Sequence, residues 1–199
     1  MTVLPGAGTI SRPTSEPIPG PAALVIGLVS LVALRWVLVA VLRGDALVAG
    51  ATFGLGTGIL VLAGGWRPHW PAPSAMVAGV LGGGALVAIA ALTRPLPHLW
   101  LPAAPFAPWL AITVIVAVAE EGMLRGVLFT RIENRRGWPL ALGITTILFA
   151  AMHVPLYGWQ VVPLDLGVGL WLGGLRLATG GAAAPAVAHV LADLATWWL

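Results

Sequence analysis

The sequence predicts an all-α fold, a polytopic transmembrane helix bundle of about seven spans with six to eight as the range, and three observations carry that reading. The chain is 59% hydrophobic and 9% charged over its 199 residues, where a globular domain carries about 25% charged residues. Its mean hydropathy is +0.97. Apolar runs of about 20 residues, the length a helix needs to cross a bilayer, recur along the chain.

Residues 1–21 are rich in Pro, Gly, Ser and Thr, hold no apolar run, and are expected to form a disordered cytosolic tail. Residues 22–199 then make one membrane domain. Its expected spans are Ala22–Leu42, Ala46–Gly65, Ala75–Thr93, Phe106–Thr130, Trp138–Val154, Val161–Thr179 and Ala182–Trp198. The fifth and the last two are short or crowded with glycine, which is why the count is a range. The first span is too long for a signal-peptide core and lacks an adjacent small-residue cleavage pattern, so it is expected to be retained. The second and third carry the small-residue runs Ala51–Gly58 and Gly79–Ala85, which let helix backbones approach closely. No strand precedes these glycines, so they do not read as a nucleotide site.

Orientation follows from the arginines near the span ends. Seven spans put Arg12, Arg67, Arg131, Arg135, Arg136 and Arg176 on one side and only Arg43 and Arg94 on the other. The N-terminus is therefore expected in the cytoplasm of what composition suggests is a bacterial cell, with the chain in the cell membrane. Trp66, Trp70, Trp100, Trp109, Trp138 and Trp159 fall at span ends and read as interfacial anchors.

Composition also excludes several classes of function. All ten basic residues are arginine, which explains a pI of 11.1 at a net charge of only +3. They form no phosphate-binding patch, so nucleic acid is not expected as a partner; the lipid bilayer and a protein or peptide substrate are. Without cysteine there is no disulfide, thiol nucleophile or cysteine-ligated metal.

The charges inside the spans carry the chemistry. Glu120, Glu121 and Arg125 interrupt an otherwise apolar stretch from Phe106 to Phe129. Each charge near the bilayer centre costs at least ~2.5 to 3.5 kcal/mol, so the three need partners, water or a task. On a helix Glu121 and Arg125 lie about 40° apart and can pair, while Glu120 projects about 100° from Glu121. Two further segments align polar groups one turn apart: FAAMH, Phe149 to His153, and HVLAD, His189 to Asp193. Each alone has a bland reading as a helix-to-helix hydrogen bond or a water-facing carboxylate. Together, Glu, His, His and Asp are the types that bind or activate a water. Arg35 reads as snorkelling or pairing with lipid and Asp165 as capping a helix, and neither is assigned a functional role. A proton or cation relay of a transporter is the competing reading.

EEGMLRGVLF, FAAMH and the closing GLWLGGLRLATGGAAAPAVAHVLAD resemble, in order and approximate spacing, the EExxxR, FxxxH and HxxxN-type signatures of the CPBP (Abi) intramembrane proteases, the type II CAAX prenyl endopeptidase-like family. The resemblance covers about residues 106–193. It implies a multi-helix core whose polar groups converge on a buried cavity and hydrolyse a peptide bond. Its catalytic glutamate carries over to Glu120, its second glutamate to Glu121, its arginine to Arg125, and its histidines to His153 and His189. Asp193 stands where many members have asparagine.

That departure matters chemically. An amide can donate to an oxyanion, whereas an ionised carboxylate only accepts. An oxyanion role would thus need Asp193 protonated, as burial in a low-dielectric cavity favours. Alternatively His153, His189 and a carboxylate, Asp193 or Glu120, make an N/O ligand set for zinc. The favoured expectation is a metal-independent endopeptidase: Glu120, assisted by His153, activates water, and His189 and Asp193 steady the oxyanion. A family member that has lost catalysis and serves in bacteriocin self-immunity or as a scaffold is the further alternative. No serine or threonine forms a recognisable nucleophile-base set, so an acyl-enzyme is not expected.

Overall fold

The computed structural model describes residues 19–42, 46–67, 71–93 and 105–198, which are helical with no strand among them. The elements are α1 (Pro21–Val41), α2 (Ala46–Ala63), α3 (Pro73–Thr93), α4 (Phe106–Glu121), a π-helical segment (Gly122–Leu128), α5 (Phe129–Arg136), α6 (Trp138–Tyr157), a short 3-10 turn (Trp159–Val161), α7 (Val162–Thr179) and α8 (Ala183–Ala195). Residues 1–18 of the expected tail, together with Arg43, Trp70, Arg94 and Trp100, lie outside the described residues.

Every expected span coincides with a helix. Five described helices are long and apolar enough to cross a membrane: α1, α2, α3, α6 and the 3-10 turn with α7. The fourth span is one rod, because backbone angles stay helical from α4 through the π segment into α5. The chain is a multi-pass membrane protein. Its last helix, α8, has only 13 residues and spans about 20 Å at 1.5 Å per residue, less than a full hydrocarbon core.

Local sequence sets the breaks. Proline at the start of α1 supplies a preset φ where no N–H is needed. Gly137 at φ +86° separates α5 from α6, and Gly180 at φ +73° ends α7 in the left-handed conformation that glycine adopts without cost. The fifth span was expected to end at Val154, but α6 continues through Pro155 to Tyr157. Pro155 removes one i→i−4 bond without ending the helix, so that Tyr157 lies on the same helix as His153.

Packing follows the small residues. A Cβ on Gly83 would sit 3.0 Å from the Ala188 backbone and one on Gly79 would sit 2.8 Å from the Ala184 carbonyl, so α3 lies directly on α8. Gly54 likewise meets the Val116 backbone of α4. Large side chains point outward instead: Ile26, Leu55, Ile59, Leu81 and Leu92 are exposed on their helices, as suits a lipid solvent. The centre of the bundle is the fourth rod, where every residue from Ala119 to Phe129 is buried. The charged segment is therefore the most enclosed part of the molecule.

One end of the bundle gathers several expected same-side arginines. Arg131 donates to the Gly64 carbonyl at 2.8 Å and to the Pro19 carbonyl, tying the start of α1, the end of α2 and α5 together. Arg176 does not act as a free topological charge. It is buried, with Nε donating to the Arg125 carbonyl at 3.0 Å and Nη2 3.4 Å from Glu133. Trp66, just beyond the end of α2, packs over Gly122 and Gly126 of the π segment. Trp138 and Trp159 remain 52% and 79% exposed, as interfacial anchors would be.

Candidate active site

Glu120 and Glu121 are the last two residues of α4, and Arg125 follows in the π segment. Arg125 Nη1 donates to Glu121 Oε1 at 2.8 Å, with both side chains fully buried, the pair that the i,i+4 spacing predicts. The guanidinium also donates through Nη2 to the Gly169 carbonyl of α7 at 3.1 Å and lies 4.9 Å over the Phe149 ring of α6. Charge, carbonyl and ring thus fasten α4, α6 and α7 at one point.

His189 completes this arrangement from α8. Its Nδ1 lies 3.0 Å from Glu121 Oε1. An ionised carboxylate only accepts, so Nδ1 carries the proton and Nε2 is turned toward the other acids. Nε2 lies 3.9 Å from Glu120 Oε2 and 3.5 Å from Asp193 Oδ2. Glu121 is therefore a holder, fixing an arginine and an imidazole, while Glu120 is left free. Glu120 is buried, and its Oε1 has no hydrogen-bond partner among the described residues.

His153 stands one step away. Its Nδ1 donates to the Phe149 carbonyl at 2.8 Å, and its ring meets the edge of Phe149 at 4.8 Å, while Phe149 in turn lies 5.4 Å from His189. The phenyl ring separates the two imidazoles. His153 also lies 3.6 Å from Asp165 Oδ2 and stacks on Tyr157. It was expected to assist Glu120, yet the imidazole within 4 Å of Glu120 is that of His189.

Asp193 is less enclosed than its expected role required. Its side chain is 39% exposed near the end of α8, where the expected role called for burial in a low-dielectric cavity. Nor do His153, His189, Asp193 and Glu120 draw together as a zinc set: among the described residues no three His, Asp or Glu side chains are arranged to hold a metal ion. The Nδ1 of each histidine is already committed, to Phe149 and to Glu121.

Three residues given no role in the sequence reading border the site. Arg35 of α1 lies 3.9 Å from Glu120 Oε1 and 5.0 Å over the Phe53 ring of α2. Asp165 of α7 faces His153, and Tyr157 covers its ring. The available signal was the cost of placing Arg35 and Asp165 in apolar spans at all.

The segment that carries these signatures also matches a family model. Residues 102–195 match the family model for type II CAAX prenyl endopeptidase Rce1-like proteins. This Rce1-like domain begins just before α4 and ends with α8, so α1, α2 and α3 lie outside it. No curated protein and no solved structure matches the chain. The Rce1-like match supports a CAAX-type intramembrane endopeptidase acting on a peptide substrate at the bilayer.

Proposed function

We propose that the chain is an intramembrane endopeptidase that hydrolyses a peptide bond of a membrane-associated protein or peptide, with Glu120 as the group that activates water. The observation that carries this reading is the inequality of the two adjacent acids. Glu121 holds both Arg125 and His189 through Oε1, leaving only its Oε2 without a hydrogen bond, whereas no hydrogen bond among the described residues engages Glu120 Oε1 and Glu120 Oε2 stands 3.9 Å from His189 Nε2. A water about 2.8 Å from both Glu120 Oε2 and His189 Nε2 fits at the apex of the 3.9 Å gap between them.

The reaction follows from these positions. Glu120 takes a proton from that water as its oxygen bonds to the scissile carbonyl carbon, and the carbonyl π pair moves to oxygen. Collapse of this intermediate breaks the C–N bond, and Glu120 returns the proton to the leaving amine. His189, with Nδ1 held by Glu121, orients the water through Nε2. His153, fixed through Nδ1 on the Phe149 carbonyl, offers its Nε2 to substrate one turn away. No metal is required in this reading.

Glu120→Gln tests it, because the amide is nearly isosteric but cannot take the proton. Comparing the membrane peptidomes of cells with wild type and Glu120→Gln should reveal termini that depend on Glu120, which would also identify the substrate. Identical termini in both would refute the glutamate-base mechanism.

A further inference from the structure

We propose that Arg35, supplied by α1 from outside the Rce1-like domain, is a further catalytic residue: its guanidinium takes up the negative charge of the tetrahedral intermediate as Glu120 gives that charge up. The inference rests on the protease reading and deepens it. Arg35 Nη1 lies 3.9 Å from Glu120 Oε1, near enough for strong attraction but too far for a hydrogen bond, and that oxygen has no hydrogen-bond partner among the described residues. The arginine is thus poised beside the base without being consumed by it. Arg125, by contrast, has Nη1 on Glu121, Nη2 on the Gly169 carbonyl and the Phe149 ring beneath its guanidinium, leaving only Nε without a partner.

Charge conservation gives the reason. Before attack, Glu120 carries the negative charge next to Arg35. When the water proton moves to Glu120, the carboxylate becomes neutral and an equal negative charge appears on the former carbonyl oxygen. A guanidinium that faces Glu120 can pass from one anion to the other with no change in the net charge of the cluster. In a water-excluded site such a preorganised donor is worth far more than in solvent. The Phe53 ring at 5.0 Å holds the guanidinium in place. With 18% of its side chain exposed, Arg35 can still meet an incoming substrate. The acids do not compete for this role, and Asp193 as a carboxylate cannot donate.

The test uses full-length protein in lipid nanodiscs and a synthetic peptide spanning one Glu120-dependent terminus. Arg35→Met should lower kcat by about 10² to 10³, the loss typical of one oxyanion donor, with KM changed no more than a few-fold; Arg35→Lys should recover part of the loss. A phosphinate analogue of the same peptide, whose charged oxygen stands in for the oxyanion, should lose affinity for Arg35→Lys and Arg35→Met while the uncleaved peptide bound to the matching Glu120→Gln double variants does not. The analogue measurement on Arg35→Lys decides the matter should Arg35→Met fold poorly. Unchanged kcat and unchanged phosphinate binding would overturn the role of Arg35 while leaving the protease reading intact. A KM effect alone would assign Arg35 to substrate binding and also overturn it. Absence of any Glu120-dependent terminus would overturn both.

Discussion

Removing Arg125 should unfold this bundle more readily than removing any other charge in it, and the size of the effect can be worked from its contacts. Arg125→Ala strands Glu121, a carboxylate with no exposed surface, by deleting its 2.8 Å partner. Breaking a buried pair in this way costs ~3 to 5 kcal/mol. The same substitution deprives the Gly169 carbonyl of a charged donor at 3.1 Å, worth ~1.5 to 3 kcal/mol when considered alone, and uncovers the Phe149 ring. These losses share one guanidinium and do not add. His189 Nδ1 continues to donate to Glu121, which keeps the penalty toward the lower end. An expected destabilisation of about 3 kcal/mol results.

Denaturation of purified protein in mixed micelles measures this directly, with monodispersity on gel filtration as the check for folded yield. The diagnostic comparison is Arg125→Ala with and without Glu121→Gln. If the stranded charge is the cause, neutralising Glu121 should return ~2 kcal/mol or more of the loss, since an amide oxygen still accepts from His189. Activity should stay low in that double variant, because His189 is then held by a weaker acceptor. Single-variant stability within ~1 kcal/mol of wild type, or a double variant less stable than Arg125→Ala, would refute the assignment of Glu121 as an arginine-held carboxylate.

Two other substitutions follow from the geometry. Asp193→Asn should retain cleavage within about tenfold and be indifferent to chelators, since an amide can still reach His189 from this partly exposed position; activity lost in this variant and restored by added zinc would instead make Asp193 a metal ligand. Arg176→Met should reduce stability by ~1 to 3 kcal/mol in the same micelle assay and accelerate hydrogen exchange in the π segment, and unchanged exchange there would show that the Arg125 carbonyl does not depend on it.

How much of this was legible in the sequence depends on whether a contact lies within one helix or between two. Glu121 with Arg125 and His189 with Asp193 are four residues apart, so helical periodicity fixed their proximity. Arg35 against Glu120 links α1 to α4, and nothing in two helices that are apolar all round tells which faces meet. Amphipathic patterning, the usual guide to facing, is weak from α1 to α4, whose outward residues are as hydrophobic as the core. The glycines were the exception: Gly79 and Gly83 mark the seam with α8 because only backbone-close packing needs them. The end of the fifth span was less legible, because Pro155 reads as a stop where the helix runs on to Tyr157.

The π segment was illegible because its causes are tertiary. Phe129 N–H reaches back five residues to the Leu124 carbonyl. A return to four-residue bonding at the next amide skips the Arg125 carbonyl, and that is the carbonyl Arg176 Nε caps at 3.0 Å. The widened turn is covered by Trp66, and a Cβ on Gly126 would sit 2.9 Å from its indole nitrogen. Arg176 on α7 and Trp66 beyond α2 thus support an irregular turn that begins immediately after the two glutamates. The consequence is a division of labour between neighbours in sequence: the helix can commit Glu121 to Arg125 inside the bundle while the preceding residue, still in regular α-helix, directs Glu120 toward α1 and α8. A straight α-helix could hold one such pair, but the cap that fixes where the helix widens comes from residues that no local pattern connects to it.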